Sequence, residues 1–474
     1  MDTYLKFYID GAWVDPVADE RKTVIDPATE QPFAEIAMGC AADAERAIAA
    51  ARHAFTTFSL STHEERLSLL ERILTILKRR KDEMGDVISR EMGAPRHMAR
   101  EEQAGIGIAH FEQTIRAMRE FAFEYMQGTT RILHEPIGVV GMITPWNWPI
   151  NQIACKVAPA LATGCTMVLK PSEEAPLNAI LFAEVLHEAG VPKGVFNLVN
   201  GDGPTVGAVL SGHPDIDMVS FTGSTRAGIS VAQAAAPTVK RVHQELGGKS
   251  PNIILRSADL AAAMRAGVDK CFANSGQSCN APTRLLVPQE KMKQAIGIAR
   301  QAAESVRVGS PVNPDSDIGP VVSQAQFDKI QGLIRKGMEE GAELVAGGPG
   351  RPAHLNVGYY VRPTIFARVT NDMAIAREEI FGPVLVILGY DSDDEAAAIA
   401  NDTPYGLASY VQGEAGEARA FARRLRTGIV RLNSSAWDGA APFGGYKQSG
   451  NGREYSKFGL HEFTEIKAIV GFGD

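Results

Sequence analysis

Residues 271–282 read CFANSGQSCNAP, with Cys279 set among Gly276, Gln277, Ser278 and Asn280. Small neighbours leave a thiol approachable and let backbone N–H groups converge on one atom, as a nucleophile beside an oxyanion hole requires. The competing reading is a buried structural thiol, the commoner fate of a free cysteine. Glu245, in HQELGGKSP, can be a solvated helix-end carboxylate. Partly buried, it is instead a general base for water, with its pKa raised towards neutrality. Asn147 lies in TPWNWPIN (144–151), directly after an apolar run. An amide donor in an aromatic rim suits a developing oxyanion, and the same segment can equally be an aromatic turn over the core.

Other stretches could hold a ligand. GDGPTVG (201–207) follows the run GVFNLV and resembles a dinucleotide fingerprint with one residue too many before its last glycine, so a plain turn is the better reading. FTGSTRAG (221–228) places Gly223 and Ser224 where a helix should open, which makes either an anion site or ordinary capping by Ser224 or Thr225. Lys170 and Glu173, in KPSEEAP, stand at the carboxyl end of the strand-like CTMVLK, where open α/β sheets bind ligands. A carboxylate there accepts from ribose hydroxyls and repels a 2′-phosphate; a solvated charged loop is the bland alternative. EEIFGPV (378–384) carries Glu379 and Phe381 before a strand, and PFGGYKQSGNGRE (442–454) is a glycine-rich loop with an aromatic. Neither reveals a function alone.

The elements that must position these residues are legible from periodicity. Leu67, Leu70, Leu74 and Leu77 recur at three- and four-residue steps, which predicts a helix starting at Ser61 or Thr62; AADAERAIAAARHAF predicts another before it. From about residue 132, IGVVGMI, CTMVLK, GVFNLV and DMVSF read as buried strands alternating with helices such as LNAILFAEVLHEAG (177–190). The pattern resumes with NIILR, RLLVP, PVLVIL and GIVRLN, so two α/β units with parallel sheets follow in series, with a seam near ELGGKSP. A chain of 474 residues allows two to four such units.

The net charge of −8 gives no general attraction to nucleic acid or anionic membrane. The N-terminus has no basic-then-apolar leader and no apolar run is long enough to span a bilayer, so a cytoplasmic protein is expected. The five cysteines, Cys40, Cys155, Cys165, Cys271 and Cys279, include no C-x-x-C pair, which argues for free thiols and against a metal site.

Taken together, PWNWP, FTGS, ELGGKSP, GQSC, EEIFGPV and PFGGYKQSG resemble the aldehyde dehydrogenase superfamily, in its NAD(P)-dependent non-acylating branch, from about residue 7 onward. The resemblance implies an atypical Rossmann NAD-binding domain (1–115 and 136–246), a second α/β catalytic domain (247–446) and a small β oligomerisation arm (116–135 and 447–474) that builds a homodimer or homotetramer. It implies Cys279 as nucleophile, Glu245 as base, Asn147 with the Cys279 N–H as oxyanion donors, and Lys156 as an aid to proton movement. Cofactor positions match Thr144, Trp146, Lys170, Glu173, Gly203, Gly223, Ser224, Glu379 and Phe381. Met142, Trp148, Cys155 and Ser278, with Asn280, Trp437 and Phe443, match positions near the substrate tunnel.

The implied reaction oxidises an aldehyde to a carboxylic acid with NAD, through a thiohemiacetal and a thioester. Glu173 favours NAD, with NADP possible. The aromatic tunnel residues favour an aromatic or medium aliphatic aldehyde, and the lack of an arginine among them weighs against a dicarboxylate semialdehyde. Three rivals remain at this stage: a CoA-acylating enzyme, a catalytically silent binding or structural protein, and a cofactor-free cysteine hydrolase.

Overall fold

The computed structural model describes residues 1–473. The helix His63–Arg79 starts by a reciprocal cap. The Thr62 hydroxyl accepts from the Glu65 N–H at 3.2 Å, and the Glu65 carboxylate accepts from the Thr62 N–H at 2.7 Å. Thr62, of the two candidates, is therefore the cap, and Leu70, Ile73 and Leu77 face the core.

Five parallel strands form the body of an eight-stranded sheet: β1 (Val139–Ile143), β2 (Thr166–Lys170), β3 (Phe196–Leu198), β4 (Met218–Thr222) and β5 (Arg241–Glu245). Their order is β5-β4-β1-β2-β3, with antiparallel edges from Phe7–Ile9, Ala12–Val14 and Gly450–Asn451. The chain winds one way from β1 to β3 and the other way through β4 and β5, so a topological switch point opens between β1 and β4. Ligands bind at the carboxyl ends beside such a point. The helices α1 (Pro149–Thr163) and α2 (Thr225–Ala235) follow β1 and β4.

A seven-stranded sheet carries β6 (Pro251–Ile254), β7 (Arg284–Pro288), β8 (Thr364–Ala367), β9 (Val384–Tyr390), β10 (Ala408–Gln412) and β11 (Ile429–Leu432). These six run parallel in the order β8-β9-β7-β6-β10-β11, and Glu343–Ala346 adds an antiparallel edge. Helix α3 (Leu260–Phe272) lies between β6 and β7. The five residues after β5 carry the chain from one sheet to the other. Most strands of both sheets are near-continuous apolar runs because helices cover both faces, β5 (RVHQE) being the polar exception.

A third unit is a three-stranded antiparallel sheet of Glu124–Gln127, Thr130–Pro136 and Thr464–Ile469. The tail does not join this arm from 447, as the sequence reading has it. Gly450–Asn451 pairs with β5, and Leu460 and Phe463 of the following segment are buried in the core beneath the first sheet. Only the last strand belongs to the arm. A short glycine-rich edge gives no periodicity from which its partner could be read.

Candidate active site

The loop from α3 to β7 holds Cys279. Asn274 and Ser275 have φ of 55° and 56°, and Gly276 continues at 73°, so the chain reverses through three successive left-handed residues. Such a run is costly for side-chain-bearing residues and persists only when the surroundings fix it. Here they do. Asn274 donates to the Asn147 carbonyl at 2.9 Å and accepts from Gln103 at 3.0 Å; Ser275 donates to the Gly319 carbonyl at 2.8 Å; Gln277 accepts from the Val322 N–H at 2.9 Å. An added Cβ at Gly276 would lie 2.0 Å from the Gly382 carbonyl oxygen, so only glycine fits.

Asn147, on the turn between β1 and α1, is buried and donates one amide hydrogen to the Gln277 carbonyl at 3.1 Å. A primary amide has two such hydrogens, so one remains for a second acceptor near the thiol. Trp148 donates from its indole nitrogen to the Ser278 hydroxyl at 2.8 Å, and Tyr410 donates to the Asn280 carbonyl at 2.8 Å. Residues on both sides of Cys279 are thus clamped from both sheets.

Glu245 ends β5, is 2% exposed, and its Oε1 has no hydrogen-bond partner. Burial, then the neighbouring Glu454 carboxylate, push its pKa well above the usual carboxylate range, with Lys156 and Arg453 opposing. Lys156 on α1 donates to Glu454 Oε1 at 2.5 Å in a fully buried pair. Burial works against both charges, yet each partner holds the other ionised: Glu454 stays low and Lys156 high. The Cys279 thiol is pushed well up by burial and by Glu245, Glu379 and Glu454. Glu454 escaped the sequence reading although it ends the loop PFGGYKQSGNGRE; its partner is 298 positions away, so no local spacing links them.

The expected cofactor positions gather at the carboxyl ends of β1, β2 and β4 and across the inter-sheet gap. The Thr144 hydroxyl is buried without a partner. The Lys170 ammonium donates to the carbonyls of Pro171 and Gly201, both at 2.7 Å, and to Glu173 at 3.2 Å; burial holds its pKa down against the pull of Glu173. Gly203 begins a short wide turn, Gly203–Gly207, whose entry Asp202 caps through the Thr205 N–H at 2.7 Å. Gly223 donates to the Glu245 carbonyl at 3.0 Å, and Ser224 caps α2 by accepting from Ala227 at 3.3 Å. Glu379 is half-buried; desolvation raises its pKa, and it accepts from the Gly248 N–H at 3.0 Å. Phe381, at φ 60°, meets Trp146 edge-on with ring centroids 5.4 Å apart.

A cavity of about 370 Å³ opens over Cys279 and is lined by Trp148, Ser278, Asn280, Trp437 and Phe443 among others. Met142 is instead buried within β1, in the core, and Cys155 points its thiol at Glu454 Oε2 at 3.4 Å, so neither lines this space. Several lining residues escaped the sequence reading, Tyr455, Arg431 and Lys270 among them. Tyr455 packs its ring 4.5 Å from His110 and 5.1 Å from Phe443. Arg431 and Lys270 bring cationic side chains to the wall, which corrects the expectation of a tunnel without arginine. Among the described residues, no cluster of His, Cys, Asp or Glu could hold a metal ion, and no helix is long and apolar enough to cross a membrane. All five cysteines are free.

Comparison with known proteins gives a consistent result. The model of the Aldehyde dehydrogenase family matches residues 13–469. A 3-succinoylsemialdehyde-pyridine dehydrogenase of Pseudomonas sp is 53% identical over 474 residues, covering 100% of this chain and 99% of its own. A mutant of aldehyde dehydrogenase C from Pseudomonas syringae, solved with NAD+ and octanal, superposes with a TM-score of 0.98 at 53% identity, over 98% of this chain and 96% of the other. An aldehyde dehydrogenase of Mycobacterium tuberculosis in complex with NAD+ does so with a TM-score of 0.97 at 39% identity, over 99% and 98%.

Proposed function

The chain belongs to the aldehyde dehydrogenase family, and on that premise we propose that it oxidises an aromatic or medium aliphatic aldehyde to the carboxylic acid, with NAD as oxidant and water as acyl acceptor. The observation that carries this reading is the buried Glu245 carboxylate, whose Oε1 has no hydrogen-bond partner, in the same pocket of charge as Cys279.

An aldehyde must become tetrahedral before it can release hydride. Cys279 adds its sulfur to the carbonyl carbon, and the carbonyl electron pair moves to oxygen, where the free Asn147 amide hydrogen and the loop N–H groups meet it. NAD, when bound, supplies the hydride acceptor, and the acyl group is left on Cys279 as a thioester. Glu245 then takes a proton from water, whose oxygen attacks the thioester, and the acid departs as the thiolate leaves. Lys156 and Glu454 form an ion pair beside that base and receive its charge changes. Because burial and carboxylates raise both the thiol and Glu245, turnover rises with pH until both are deprotonated.

The cofactor residues fit the group they would hold. The orphaned Thr144 hydroxyl and the N–H groups at the start of α2 suit phosphate and amide oxygens. Lys170 with Glu173 suits the hydroxyls of an adenosine ribose, and Glu379 those of the other ribose. Glu173 sets a carboxylate where a 2′-phosphate would stand, which favours NAD over NADP. The aromatic walls and the names of the two relatives, one acting on a pyridine-bearing semialdehyde and one crystallised with octanal, support the substrate class. Free thiols suit a reducing cytoplasm. The arm exposes Ile466 and Ile469 on a strand at its sheet edge, and Val470 just beyond it, which supports a homodimer or homotetramer.

The test is absorbance at the NADH band with octanal and benzaldehyde, with and without CoA. NADH formation independent of CoA is expected. A requirement for CoA makes the chain acylating, and no NADH with any aldehyde removes the proposal.

A further inference from the structure

Among the described residues, two cations at the mouth of the Cys279 cavity have no counterion. Lys270, near the end of α3, and Arg431, on β11, line both the inner cavity and an adjoining outer chamber of about 500 Å³, and Trp437 walls both spaces. Side chains alternate across a strand. Val430 and Leu432 pack into the core beneath the seven-stranded sheet, while Ile429 packs with Cys279 and Phe443, so Arg431 shares the reactive face.

Among the described residues, neither cation makes an ion pair or a hydrogen bond. Their polar neighbours are already committed. Tyr410 donates to the Asn280 carbonyl, and Gln412 donates to Asn252 at 3.1 Å. The two wall acids, Glu102 and Asp269, stay beyond ion-pair distance of both cations. Burial, then the proximity of Arg431, hold the Lys270 ammonium below the usual lysine range, and Glu102 only partly offsets them. A guanidinium that faces a cavity with all its donors free is poised for a planar acceptor, which it binds through two parallel N–H bonds.

We propose that Arg431, seconded by Lys270, is a specificity subsite that selects aldehydes carrying a carboxylate or carbonyl oxygen at the end remote from the aldehyde. The inference rests on the aldehyde-oxidising reading above and narrows its substrate class: an apolar body against Trp148, Trp437 and Phe443, and an acceptor at the mouth. Lys270 adds a mobile point charge to the fixed guanidinium fork, so a carboxylate gains from both and a neutral carbonyl mainly from Arg431.

The experiment compares kcat/KM for octanal, 8-oxooctanoate and its methyl ester in the wild type, Arg431→Met, Arg431→Lys and Lys270→Met. The expected result is a wild-type preference for 8-oxooctanoate over octanal of about tenfold or more, the value of one charge-assisted contact. Arg431→Met should bring that ratio close to one, Arg431→Lys should restore part of it, and Lys270→Met should lower it by less. If the ester shares the preference, the subsite reads an acceptor; if only the acid shows it, the subsite reads an anion. A wild-type ratio of one or below, or a ratio untouched by Arg431→Met, overturns the proposal. Calorimetry with octanamide and 7-carbamoylheptanoate, which cannot react, separates the two readings. Tighter binding of the carboxylated amide that needs Arg431 upholds the subsite even where no aldehyde is turned over, and equal binding refutes it.

Discussion

The reaction end of the site and its mouth are built by opposite means. Around Cys279 every element is held from afar: Asn147 on the Gln277 carbonyl, Asn274 on the Asn147 carbonyl, Lys156 on Glu454. Those bonds are buried, and an unmet donor or acceptor there costs about 1–3 kcal/mol, so one arrangement is enforced. At the mouth, residues 433–438 are exposed, Trp437 is 37% exposed, and Arg431 and Lys270 are unbonded. The Cys279 side is held by buried, over-determined bonds, and the mouth is lined by side chains with room to move.

Substitutions should divide along that line. At the reaction end, Cys279→Ala is expected to abolish NADH formation while calorimetry still detects NAD binding. Turnover by this variant would place the nucleophile elsewhere. Glu245→Gln should allow the first hydride transfer and slow the release of acid by about 10³-fold, within the range of general-base losses. Stopped-flow would show a burst of NADH near one per site, and unimpaired steady-state turnover would remove the base assignment. Asn147→Ala, which takes away one oxyanion donor, should lower kcat by about 100-fold with little change in KM.

Glu454→Gln tests the charge pair rather than the chemistry. Glu454 raises the Glu245 pKa, and Lys156, once unpaired, would lower it further. Both changes act in the same direction, so the acid limb of the pH–kcat profile should move down by about one unit. An unmoved acid limb would mean that Glu245 does not sense the pair. At the mouth, Trp437→Ala should change kcat/KM only a few-fold, mostly through KM, with octanal affected more than acetaldehyde. A loss at the mouth as large as that of Asn147→Ala would break the contrast.

What the sequence disclosed follows the same division. The helix start at Ser61 or Thr62, the parallel strands and the turn at Asn147 were legible because their signals are local: a polar residue ahead of two acids, a period, a motif. The family resemblance carried Cys279 and Glu245 together across 34 positions. Glu454 was not legible, since its meaning depends on Lys156 far upstream. Arg431 was read as one residue of the strand GIVRLN, and alternation says which residues share a face but not what that face meets. Met142 shows the converse, because a position beside the tunnel in sequence is sealed within β1 by the strands on either side. The Gly203 segment is a five-residue wide turn, Gly203–Gly207, rather than the plain turn read from the sequence.

Gly450–Asn451 closes against β5, and the residues after it set Tyr455 into the wall of the Cys279 cavity and Glu454 against Lys156, 298 positions upstream. A ribosome-bound or clipped chain that ends before this segment holds its thiol and its base but lacks the partner of Lys156. Such a fragment is expected to form no NADH with any aldehyde, however well its sheets have formed.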